Sequence, residues 1–123
     1  MTQSTWLYIA AALSVITLLV HIFAGGKSVA KPLLESALDN EAKFASYYCW
    51  HLVTIVIAFM ATCFALSASN ITSLELAISA SVLAFLFTCW SISLTVLKKQ
   101  HVMTLPQWIL FLPITLAGTL GVY

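Results

Sequence analysis

Four long, almost uncharged apolar runs constrain this chain more than any motif in it. They cover about residues 6–24, 46–67, 74–97 and 105–122, and Glu75, at the start of the third, is the one charged side chain inside them. A helix that spans the hydrocarbon core of a bilayer takes about 20 predominantly apolar residues. The runs are continuous and lack the two-residue alternation of a membrane β-barrel. Composition points the same way: 62% of residues are hydrophobic and 7% are charged, where a soluble domain carries about 25% charged residues. A soluble fold with so little charge would expose large apolar patches. The expected fold is an all-α integral membrane protein, with residues 1–123 forming one up-down bundle of four transmembrane helices.

The lysines orient it. All five (Lys27, Lys31, Lys43, Lys98 and Lys99) fall after the first run or after the third, and there is no arginine. By the positive-inside rule those two loops are cytoplasmic and both termini are non-cytoplasmic. No basic residue precedes the first run and no small-residue cleavage site interrupts it, so it reads as a retained helix, not a signal peptide. Tyr47, Tyr48, Trp50 and Trp108 then form a cytoplasmic aromatic belt, with Trp6, Tyr8 and Tyr123 at the other interface. The whole chain reads as a small bacterial inner-membrane protein. Its partners are the lipid bilayer and, given the lipid-facing surface of four short helices, further copies of itself or a larger membrane complex. A formal net charge of +1 excludes nucleic-acid binding driven by phosphate neutralisation.

The loop at residues 25–45 is the one long connection. Gly25-Gly26 is expected to stop the first helix. Pro32 suits a first helical position, so 32–38 reads as a short amphipathic cytoplasmic helix with Leu33, Leu34 and Leu38 on the membrane surface. Asp39 is a cap for a helix that begins near Asn40 and runs straight into the second span. Thr72-Ser73-Leu74-Glu75 and Thr104-Leu105-Pro106-Gln107 both match capping boxes. Pro113 is expected to kink the fourth helix.

Small and hydroxylated residues recur at steps of three and four, which puts each set on one helix face. The first helix has Ala10, Ser14, Thr17 and His21. The second has Tyr47, His51, Thr54, Ala58, Thr62 and Ala65. The third has Ala77, Ser81, Ala84, Thr88, Ser91 and Thr95, and the fourth Ile114, Ala117, Gly118 and Gly121. Helices in lipid associate through close packing of small residues and interhelical hydrogen bonds, so these stripes are expected to face inward.

His21 and His51 both lie on such stripes. His21 is six residues before Lys27 and His51 eight after Lys43, so at 1.5 Å per residue each sits roughly 9–12 Å below a charged anchor, at the cytoplasmic side. Ionisable groups at that depth face protein and mark function by default. Tyr47 and Thr17, each four residues before a histidine, are placed to orient the rings.

Three readings follow. The first is a binding site for a cofactor, a metal or a small apolar ligand, with haem b or a transition metal as the cofactor and His21, His51, Tyr47, Trp50 and Trp108 around it. Imidazole is the commonest metal ligand, and Cys89 and His101 are the remaining candidates for the third ligand that a zinc or copper site demands. A haem would suit diagonal helices better than adjacent ones. The second reading is structural or accessory, each imidazole fastening two helices. The third is a proton-coupled transporter, since imidazole changes charge in the physiological range. Cys49, Cys63 and Cys89 form no CxxC pair and read as small buried hydrophobes. No phosphate loop, Ser/His/Asp set or HExxH pattern occurs, so an enzymatic role is not expected. The chain resembles compact multidrug transporters in having four helices, but it lacks the carboxylate that they carry in the first helix.

Overall fold

The computed structural model describes residues 1–123 and contains helices and no strands. Helix α1 (Gln3–Val20) continues without a break into a π-helical segment (His21–Ala30) and a short α2 (Lys31–Glu35). Helices α3 (Asn40–Ala68), α4 (Leu74–Leu97) and α5 (Gln107–Val122) follow. Three helical stretches are long and apolar enough to cross a membrane: Gln3–Glu35, Asn40–Ala68 and Leu74–Leu97. Helix α5 is equally apolar but has 16 residues, which is about 24 Å of rise, short of a core about 30 Å thick.

The helices form a ring. α1 packs against α3 and α5, and α4 packs against α5 and, more loosely, α3. Three of the four expected stripes are the buried faces. Ala10, Ser14 and Thr17 of α1 are buried, as are all six stripe residues of α4 and all four of α5. Most of the buried hydroxyls do not bridge helices, however. Ser14, Ser81, Thr88, Thr95 and Thr115 each donate to the carbonyl four residues back in their own helix, at 2.8–2.9 Å. Satisfied in this way, each hydroxyl behaves as a small residue, and backbone proximity joins the helices. At Gly121 an added Cβ would lie 2.6 Å from Leu7 Cδ2 and 3.1 Å from the Leu7 backbone nitrogen. At Gly118 it would meet Ser81 Oγ and, at 3.0 Å, the Phe64 ring. These two glycines set how closely α5 approaches α1, α3 and α4.

Helix α3 departs from its expected stripe. Its buried residues are Ile57, Met60, Ala61, Cys63, Phe64, Ser67 and Ala68, about 130° round the helix from the Thr54–Ala58–Thr62 line. The Thr62 and Thr54 hydroxyls are satisfied by the carbonyls of Ala58 and Trp50, at 3.0 and 3.3 Å. That bond leaves them free to face either way, and on α3 large apolar side chains, Ile57, Met60 and Phe64, fill the core.

The connections also differ from expectation. Gly25-Gly26 does not end the first helix: no glycine has positive φ, and the chain widens into a π-helix and continues. The short helix spans Lys31–Glu35, an extension of α1 and not a separate surface helix over 32–38. Asp39 does hold the cap position of α3, with Glu41 in the first turn, but its side chain makes no cap bond. Neither capping box forms. Ser73 is the cap position of α4 and Pro106 that of α5, both without a side-chain cap bond. Ser91 of α4 replaces the second box: its Oγ accepts the Trp108 backbone N–H at 3.2 Å and donates to Leu105 O at 3.4 Å. α3 and α4 end on Asn70 and Lys99 with φ of 56° and 49°. The amides of Ile71 and Gln100 then reach back to Leu66 O and Thr95 O, the closing bonds of Schellman ends.

Candidate functional site

The site begins where α1 turns into the π-helix, at His21. π-helical turns are rare and frequent at functional sites, because the wider ring shifts a side chain out of α-helical register. His21 faces α3. Its ring stacks on the Trp50 indole, with centroids 4.4 Å apart and planes 20° apart. Its Nε2 lies 3.2 Å from the Trp50 carbonyl oxygen. A carbonyl only accepts, so Nε2 carries the proton and Nδ1 presents a lone pair.

Gly25, one turn on, explains what Nδ1 sees. A Cβ at Gly25 would stand 3.9 Å from both His21 Nδ1 and Trp50 Nε1. The acceptor Nδ1 and the indole N–H donor therefore lie beside the same bare stretch of backbone. Neither is engaged by the chain's own hydrogen bonds, which take Nε2 of His21 and the carbonyl of Trp50. Both residues line a cleft of about 390 Å³ between α1, α3 and α5. Thr17, Ser28 and Gln107 add polar groups, Val53, Leu110 and Phe111 supply apolar wall, and Thr104 and Pro106 bring in the α4–α5 loop. Polar groups converging in a largely apolar recess are the usual make-up of a small-ligand site.

The other expected site residues are distributed as follows. His51 is exposed and does not line the cleft. Its ring meets Tyr47 edge-on at 4.6 Å and Trp50 at 5.0 Å. The expectation that His51 faces inward fails for the reason given above: Trp50, not His51, lies on the inward line of α3 that continues through Val53 and Ile57. Tyr47 stays in the aromatic cluster, parallel to Trp50 at 6.4 Å. Trp108 does not join it. It lies in a shallow groove with Ile92, Thr95, Val96 and Val102, and its Nε1 donates to Val102 O at 3.3 Å. His101 is exposed in the α4–α5 loop, where Nδ1 accepts the Met103 amide at 3.2 Å. Cys89 is half-buried on α4 and does not line the cleft. Cys63 is buried as expected, but Cys49 is exposed. Nowhere do three His, Cys, Asp or Glu side chains come together to hold a metal ion.

Gly25, Ser28 and Gln107 are site residues that the sequence reading does not place in a site. The signal for Gly25 is its position four residues after His21, on the same helix face, and the expected helix stop at the glycine pair hides it.

No family model matches the chain, and neither curated proteins nor solved structures give a match.

Proposed function

We propose that this is a four-span inner-membrane protein, with both termini non-cytoplasmic, that binds a small ligand in the His21–Trp50 cleft on its cytoplasmic side. The reading rests on one observation: an acceptor and a donor, His21 Nδ1 and Trp50 Nε1, stand side by side over Gly25 in an otherwise mostly apolar recess. Metal or haem ligation is the weaker form of the two-histidine reading. His21 and His51 lie on adjacent helices, one imidazole is covered by an indole, and its Nε2 is committed to a carbonyl. The fourth span is supported by the apolar character of α5 and by its packing between α1 and α4. The helical end that carries Lys27 and the loop after α4 that begins at Lys98 then lie at the ligand-binding side, and the protein acts as a membrane subunit or a small homo-oligomer.

Two experiments test it. Mass spectrometry of protein purified in mild detergent should find a stoichiometric small molecule that Gly25→Leu loses without a fall in melting temperature. Equal retention by the variant would remove the cleft from the account. Single cysteines at 70 and 100, in a background without Cys49, Cys63 and Cys89, should be labelled from outside intact cells at 70 and not at 100. The reverse pattern would invert the membrane orientation.

A second reading has its own observation. The His21–Trp50 hydrogen bond ties α1 to α3, so His21 also fastens helices, as an accessory membrane protein would require.

A further inference from the structure

A second cleft, of about 260 Å³, lies beside the first, and the two share Val53, Gln107 and Phe111 as walls. Their chemistry differs. The first holds His21, Trp50, Thr17, Ser28 and Gln107. In the second, six of eight lining residues are hydrophobic, among them Phe87, Trp90 and Leu94 of α4. It lies between α3, α4 and α5, where α3 and α4 are the most loosely packed neighbouring pair of the four long helices, and Trp90 in its wall is 64% exposed. In a bilayer the exposed Trp90 meets acyl chains. No charged residue lines either cleft, so a charged head group would enter a recess with no counter-charge, a costly transfer.

We propose that the ligand is a neutral, single-chain membrane amphiphile that enters from the bilayer between α3 and α4. This rests on the His21–Trp50 reading and extends it. The head accepts from Trp50 Nε1–H and donates to His21 Nδ1. The chain passes Val53 and Phe111 and lies along Phe87, Trp90 and Leu94. The adjacency of a polar recess and an apolar one, with Val53, Gln107 and Phe111 in both linings, selects an amphiphile over a small polar solute or a plain hydrocarbon. The absence of lysine from both linings, and of arginine from the chain, selects a neutral head over a phosphate.

The test uses full-length protein in nanodiscs and three probes: monooleoylglycerol, monobutyroylglycerol (the same head on a short chain) and oleoyl lysophosphatidic acid (the same chain on an anionic head). Monooleoylglycerol should bind saturably, at least about tenfold more tightly than either of the others. Leu94→Trp, which fills the apolar cleft, should remove that chain-length advantage and leave monobutyroylglycerol binding unchanged. Gly25→Leu should abolish binding of both glycerides. Leu94→Phe replaces Leu94→Trp if the larger variant melts early. Equal affinity for the long and short glycerides, with both Leu94 variants silent, overturns the amphiphile while leaving the head-group site standing. Preference for the anionic probe overturns the neutral head. Gly25→Leu with unchanged binding, or no saturable binding of any probe, overturns the site together with the inference.

Discussion

The two ends of the bundle are built on opposite terms. At the end that carries the chain termini, small residues bring backbones together: Gly121 lies against Leu7, Gly118 against Ser81 and Phe64, and Ala10 and Ala77 are fully buried. At the other end Gly25 is also bare, but the nearest atoms to its would-be Cβ are 3.8–3.9 Å away, and they belong to an indole and an imidazole. Glycine closes space at one end and keeps it open at the other. The difference teaches how to read a small residue in a membrane bundle: what stands opposite it decides whether it is a contact or a vestibule.

Substitutions that grade the two ends sharpen this contrast. The largest loss is expected at the closed end. Gly121→Val forces a side chain into the Leu7 backbone, which cannot swing aside, so the variant should lose about 3 kcal/mol by thermal or denaturant unfolding in detergent. An unchanged melting temperature would mean that α5 does not approach α1 as described. A smaller loss is expected at the joint between the ends. His21→Leu removes the bond to Trp50 O, worth about 0.6–2 kcal/mol in membrane proteins. That carbonyl keeps the Thr54 hydroxyl, which holds the cost down. His21→Gln, whose amide can still donate, should recover part of the loss. If both variants melt together at the wild-type temperature, His21 fastens nothing. The smallest effect is expected at the open end, where Gly25→Leu should shift stability by less than about 1 kcal/mol, because the side chain enters existing space and glycine is a poor helix former. A large loss there would show that the cleft is closed in the membrane.

The sequence disclosed the closed end better than the open one, for a physical reason. On α4 every buried residue is small or hydroxylated, as is every one on α5 but Phe111 and Ile114, and they stand out against leucine and phenylalanine at a spacing of three and four. On α3 the buried Ile57, Met60 and Phe64 are as apolar as the exposed Ile55 and Phe59. Hydropathy cannot rank them, because lipid and core are equally apolar solvents. The polar stripe offered a false face, and it carried His51 with it. The start of α3 was legible because Asp39 and Asn40 follow the capping preference. The ends of α3 and α4, at Ala68 and Leu97, fall within a residue of where the apolar runs stop, but the left-handed residues that close them, Asn70 and Lys99, stand where glycine is the usual sign. The glycine pair misled for the converse reason. Its position implied a stop, while helical backbone beside the Trp50 ring let the chain run on.

The proposed ligand site depends on the free lone pair of His21 at the open end. Nitrogen-15 spectra of histidine-labelled protein at alkaline pH report which ring nitrogen holds the proton, and only three histidines need assignment, with His21→Gln identifying the signal. The geometry predicts the neutral form protonated at Nε2, bound to Trp50 O, with Nδ1 bare and facing the cleft. A neutral His21 protonated at Nδ1 would contradict it, since Nε2 could not then donate to the carbonyl and the cleft would lose its acceptor.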